Sequence, residues 1–151
     1  MSQKIIFTCT WGAEEPERAT LPFVAANVAA LAGQDAVVLC TVEAVRLGVE
    51  GGAKDVAAQG FPPLAELYRD YVAAGGKVWL CGACTKPRGI TDLGLAPGTT
   101  IVGAAMVVEE IVGGCAYRRV CLNRTPFSGS DRTTSGRVPD PVVTREPPSP
   151  R

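Results

Sequence analysis

The stretch KVWLCGACTKPRGI (residues 77–90) changes character at its fifth residue. Up to Leu80 it is an unbroken apolar run behind one lysine, the pattern of a strand covered on both faces. From Cys81 onward it turns to glycine, threonine, proline and cations, the composition of a loop. A strand buried on both faces calls for a parallel sheet with helices above and below it. The flanking sequence supplies the other parts.

Residues 5–8 form a short apolar, β-branched run, and residues 10–16 read as a loop. A helix should follow, with Leu21, Val24, Ala25, Val28 and Leu31 at helical spacing. Thr20 is placed to cap it, Pro22 to sit in its first turn and Gly33 to close it. Residues 36–42 are a second buried strand. Residues 46–62, with Gly48, Gly51, Gly52 and Gly60, make a long connection of the kind that serves a site or an interface. Residues 63–74 form an amphipathic helix with Leu64, Leu67, Tyr68, Tyr71 and Val72 inward, stopped by Gly75 and Gly76. Residues 77–80 are the third strand, 100–102 the fourth, 104–112 a last helix and 117–122 a final edge strand. The expected fold is α/β: a three-layer α/β/α, flavodoxin-like single domain with a mostly parallel sheet, over residues 1–122.

The chain has 151 residues, with 15 basic and 15 acidic side chains, so its global charge gives no reason to expect nucleic acid or acidic lipid as partner. The balance hides an asymmetry. Residues 1–116 carry a net −4, and residues 117–151 a net +4 together with half of the 12 prolines. Residues 123–151 lack hydrophobic periodicity and read as a disordered Pro/Arg-rich tail. The opening residues show no charged, apolar and cleavable signal pattern, and the apolar runs are too short to span a bilayer, so a cytoplasmic protein is expected.

No histidine is present, which removes Ser-His and Cys-His triads and every histidine-containing metal site within this chain. The six cysteines suit reduced thiols better than a disulfide framework. In an open parallel sheet, sites form beyond the carboxyl ends of the strands, where Cys9, Cys40 and Cys81 all fall. Cys9 and Cys40 read as buried packing residues. Cys81 and Cys84 lie three apart on the loop leaving the third strand, followed by Lys86 and Arg88, with Gly82 and Gly89 giving the backbone room. Nearby cations favour the thiolate, the form that attacks sulfur. A zinc knuckle would need Cys115 and Cys121 at a loose spacing, and no metal or cofactor is expected. Phosphate-binding glycine motifs are missing, and Glu14, Glu15 and Glu17 after the first strand would repel a pyrophosphate. Glu109 and Glu110 read as a solvated helix face.

Residues 78–90 resemble the DsrE/DsrF-like sulfur-relay family, in particular its YchN-like branch, at the pattern strand-Cys-x-x-Cys-Thr-x-x-Arg-Gly-Ile. Residues 4–7, 15–23, 44–47 and 97–105 are similar to other units of that family, so the resemblance spans about residues 3–115. It departs at the polar residues 117–120 and the long segment after them. The resemblance implies a small α/β/α subunit that forms trimers or hexamers and passes sulfur as a cysteine persulfide between donor and acceptor proteins. It places the sulfur on Cys81, matches Cys84 to a second cysteine of some branches, and matches Arg88 and Gly89 to the loop's Arg-Gly pair. Lys86 and Arg88 are then expected to favour the thiolate and meet a partner's acidic surface. A thiol–disulfide redox protein using the same pair, and a non-catalytic oligomeric scaffold or small-ligand binder, are the alternatives the sequence leaves open.

Overall fold

The computed structural model describes residues 4–119; the expected tail and Cys121 lie outside them. Five strands form one sheet: β1 (Lys4–Cys9), β2 (Asp35–Cys40), β3 (Lys77–Cys81), β4 (Thr99–Val102) and β5 (Ala116–Arg119). Every pairing is parallel, and the order is β4-β3-β2-β1-β5. The layering is the one expected. The strand order departs from the 2-1-3-4-5 order of flavodoxin, since β5 rather than β3 flanks β1 on its second side.

Right-handed crossovers explain where the helices lie. From β1 to β4 the chain steps across the sheet in one direction. Helices α1 (Pro16–Leu31) and α2 (Leu64–Ala73) therefore share one face, as does the segment between β3 and β4. The return from β4 to β5 runs the opposite way, which puts its helix on the other face. Between β3 and β4 lies the one-turn helix α3 (Gly82–Thr85), so this returning helix is α4 (Ala104–Val112). On the α1/α2 face, Phe7, Cys9, Val38, Cys40, Val78 and Leu80 are buried. Ile6, Val37, Leu39, Trp79 and Val102 point the other way, toward Val107 of α4 and Cys115. The central strands β1, β2 and β3 thus bury apolar residues on both faces, which is why they read as nearly unbroken hydrophobic runs.

Helix α1 departs from the sequence reading in two ways. It begins at Pro16, where a missing N–H costs nothing, so Pro22 sits inside the helix and not in its first turn. Thr20 is no cap: it is buried, and its hydroxyl donates to the Pro16 carbonyl at 2.7 Å. The buried face carries Ala19, Thr20, Phe23 and Ala26, while Val28 and Leu31 stand 65% and 73% exposed. Phe23 sets this rotation. Its ring packs 5.4 Å from Tyr68 and edge-on at 6.2 Å from Tyr71, joining α1 to α2.

Helix α2 buries Leu64, Tyr68 and Tyr71 as expected, with Leu67 and Val72 partly buried. The Tyr71 hydroxyl reaches the sheet, donating toward the Ala36 and Lys77 carbonyls at 2.7 and 2.8 Å. Gly76 is required beside this ring, because a Cβ there would lie 2.1 Å from a ring carbon of Tyr71. The long connection after β2 begins with a 3-10 segment, Val42–Gly48, and is then bound to the chain ahead of β4. The Ala96 N–H donates to the Gly48 carbonyl and the Glu50 N–H to the Gly94 carbonyl, both at 2.8 Å. At the other end of the sheet, Lys4 meets Glu110 at 2.6 Å and Lys77 meets Asp35 at 3.0 Å.

Candidate functional site

Three strands end in cysteine at the carboxyl edge of the sheet: Cys9, Cys40 and Cys81. Cys9 and Cys40 are in register on β1 and β2 and are 1% and 0% exposed. Contact with the Cys9 thiol, followed by burial, pushes the Cys40 thiol well up. These two are core residues closed to solvent, as the sequence suggested.

Cys81 and Cys84 differ in being half-buried at the surface of that edge. Cys81 is the last residue of β3 and the N-cap of α3. One helical turn brings the side chain three residues later back toward it, so that each thiol lies within the other's electrostatic reach. The turn is closed by Thr85, whose buried hydroxyl donates to the Gly82 carbonyl at 3.0 Å. Gly82 passes close to β4, where a Cβ would stand 3.3 Å from the Val102 carbonyl oxygen. Gly89 ends the following 3-10 turn with φ +65°, a left-handed conformation that favours glycine. The two glycines therefore serve backbone approach and backbone conformation respectively.

The electrostatics differ from the sequence expectation. Arg88 does not face the thiols as a bare cation: its Nε and Nη2 both donate to one carboxylate oxygen of Glu43, the former at 3.0 Å. Its Nη1 donates to the Cys84 carbonyl, also at 3.0 Å. The second Glu43 oxygen accepts from Arg46 at 2.9 Å. Arg88 is thus a strut between the dithiol loop and the segment after β2. Burial is the main influence on the Cys84 thiol and pushes it up. The Val42 N–H opposes this, contact with Cys81 adds to it, and the Arg88 charge pulls weakly down. Cys84 therefore stays protonated at neutral pH, and its cationic neighbour does not reverse the balance. Lys86 is exposed on the same turn.

Val42 and Glu43 were missed from sequence. Val42 has φ +54°, a strained conformation for a β-branched residue, and its backbone N–H is one of the influences on the Cys84 thiol. The available signal was topological: in a parallel sheet, residues just after β2 lie beside those just after β3. That makes Glu43 the nearest acid to Arg88.

The clamp has a pH signature. Glu43 is held below the usual carboxylate range, chiefly by its hydrogen bonds to Arg88 and then Arg46. A depressed folded-state value stabilises above the unfolded carboxyl range and loses that contribution as pH falls through the lower folded value. Glu43→Gln should therefore melt earlier than the wild type at neutral pH. The difference should begin to shrink as pH falls into the free carboxyl range, about pH 4, and close only below it, where Glu43 itself protonates. Melting curves across pH check this; a gap that persists in acid contradicts it.

Among the described residues, no three His, Cys, Asp or Glu side chains gather as a metal site would require. Cys115 packs against the α4 side of the sheet; its thiol is raised by burial and by the nearby Glu110 charge. Glu110 is held by Lys4, so it is an ion-pair partner and not a solvated face.

Comparison with known proteins follows the same lines. Residues 3–111 match the family model of the DsrE/DsrF-like family. Over 95 residues the chain is 30% identical to the uncharacterized protein MJ0760 of Methanocaldococcus jannaschii, covering 63% of this chain. The chain spans about a third (34%) of the length of that curated relative. The crystal structure of the ychN protein from E. coli superposes with a TM-score of 0.65 at 19% identity, over 78% of this chain and 98% of that one. A protein of unknown function from Methanobacterium thermoautotrophicum, MTH1491, superposes with a TM-score of 0.58 at 15% identity, over 78% and 99%. These two likenesses establish the fold, and the family match covers every strand through β4 and nearly all of α4. The chain belongs to the DsrE/DsrF-like family.

Proposed function

We propose that the protein carries sulfane sulfur on Cys81, taking it from a donor persulfide and passing it to an acceptor protein. The family is associated with sulfur relay. The observation that carries the reading is the pairing of two half-buried free thiols, one turn apart at the carboxyl edge of the sheet, with the second held protonated. In uptake, the Cys81 thiolate attacks the outer sulfur of R–S–SH. The donor S–S bond breaks, R–S⁻ leaves, and Cys81–S–SH forms. In delivery, an acceptor thiolate attacks that outer sulfur and Cys81 leaves as thiolate. No net oxidation occurs in either transfer.

Cys84 offers a second exit. After losing its proton it attacks the inner sulfur, the Cys81–Cys84 disulfide forms, and the sulfane sulfur leaves as HS⁻, reduced by two electrons while the two thiols are oxidised. An external thiol then restores the dithiol. Lys86 and Gly89 lie on the exposed side of the turn, where an acceptor's acidic surface can approach, while Arg88 holds the turn in place. Such chemistry needs reduced thiols, hence a reducing compartment such as the cytoplasm. Among the described residues, no helix is long and apolar enough to cross a membrane.

The test is Cys84→Ser loaded with a small-molecule persulfide. The reading expects Cys81 to be persulfidated as in the wild type, sulfide release without added acceptor to stop, and the persulfide to persist. Uptake by Cys81→Ser but not by Cys84→Ser would reverse the two roles.

We further propose a homo-oligomer, a trimer or hexamer, built in part on α4. Met106, Val108, Ile111 and Val112 of this short apolar helix are exposed, a patch unusual on an isolated domain. Val108→Glu is expected to shift the protein to monomer in light scattering coupled to gel filtration. An unchanged oligomer, or a wild-type monomer, contradicts this placement.

A further inference from the structure

A cavity of about 420 Å³ opens on the α2 side of the sheet, away from the two thiols. Its walls are Leu47, Val49, Val72, Ala96 and Pro97, with the Tyr68 ring at the side. The volume is that of a small-molecule site. Two of the wall segments are tied to each other through their backbones. Val49 and Leu95 form an antiparallel bridge, flanked by the two backbone hydrogen bonds at Gly48 and Glu50. The Tyr68 hydroxyl is already engaged by Thr99, so the interior offers no unmet polar group there.

The charged side chains lining the cavity are Lys54 and Arg69, and no acid lines it. Both are exposed, which sets their charges at the mouth. Arg69 is engaged only at its edge, with Asp70 at 3.3 Å, and its side chain is 73% exposed. An apolar chamber under two cations matches a molecule with an apolar body and one anionic end.

We infer that this cavity binds a small amphipathic monoanion, an apolar chain ending in a carboxylate. The apolar part fills the chamber between the 47–49 and 96–97 segments, and the carboxylate meets Lys54 and Arg69. This site is separate from the dithiol and does not depend on sulfur carriage, since neither Cys81 nor Cys84 lines it.

The experiment is a titration of the ¹⁵N-labelled full chain with octanoate and, separately, with 1-octanol of matched length. Octanoate should shift the amides of Val49, Ala53, Val72 and Ala96 saturably. Octanol should bind the same place about fivefold more weakly, the value of one to two solvent-screened charge contacts. The double variant Lys54→Gln, Arg69→Gln should erase that preference. Ala65→Phe, at an exposed position on the cavity wall, should remove binding of both molecules while leaving the fold intact. Octanoate shifts that fail to saturate at these amides overturn the inference. So do equal affinity for the alcohol, a preference that survives the double variant, or binding that survives Ala65→Phe.

Discussion

Cys81→Ser is expected to take up no sulfur from a persulfide donor, while its melting temperature stays close to that of the wild type. The hydroxyl cannot form a persulfide, and at neutral pH it presents no anion to attack sulfur. The fold has little reason to notice the change. The side chain is half-buried at the end of β3 and the replacement is nearly isosteric, which puts the stability effect within about 1 kcal/mol. Loss of uptake without loss of fold separates the chemistry from the scaffold. Undiminished uptake in this variant would move the sulfur to another thiol. Cys84 is then the first candidate, because Cys9 and Cys40 are closed to solvent.

Phe23→Ala is expected to cause the largest loss of stability of any single change considered. The ring is fully buried and links α1 to both tyrosines of α2, so its removal leaves a cavity where two helices meet over the sheet. Such truncations cost about 3–5 kcal/mol, a large share of the roughly 5–15 kcal/mol that holds a domain together. For a domain of this size the melting temperature should drop by about 10–20 °C. Denaturant unfolding gives the number directly. A loss below about 1 kcal/mol would mean that α1 does not depend on this contact.

The same ring explains what the sequence concealed about α1. Both sides of that helix are apolar, with Val24, Val28 and Leu31 on one and Ala19, Phe23 and Ala26 on the other. Periodicity alone therefore had two answers, and it favoured the side that carries branched residues. Packing favoured the side that brings Phe23 to Tyr68 and Tyr71 and lets alanines lie close to the strands. The strands were easier. Residues buried on both faces have no alternation to misjudge, and glycines or charges mark their ends. The position of β5 was not legible, because nothing local to residues 116–119 says that the chain returns across the sheet to β1.

The two thiols of the candidate site could be picked out in the sequence, and the residues that hold their loop could not. Cys81 and Cys84 declare themselves by spacing, by glycine neighbours and by their place after a buried strand. The partner of Arg88 lies 45 residues earlier, and only the parallel pairing of β2 with β3 brings it near. Without Glu43, the cations of the loop looked available to the thiols. With it, Arg88 becomes a strut, and burial outweighs its charge at Cys84.

The most direct test of the central claim is mass spectrometry of the reduced protein after exposure to a persulfide donor. Sulfur carriage predicts a gain of about 32 Da confined to the peptide holding Cys81 and Cys84 and reversed by reductant. A loss of about 2 Da in that peptide, with no sulfur gained at any stage of the reaction, would make the pair a redox dithiol and contradict the account. No change at either thiol would contradict it equally, and leave the loop a structural feature of an oligomeric scaffold.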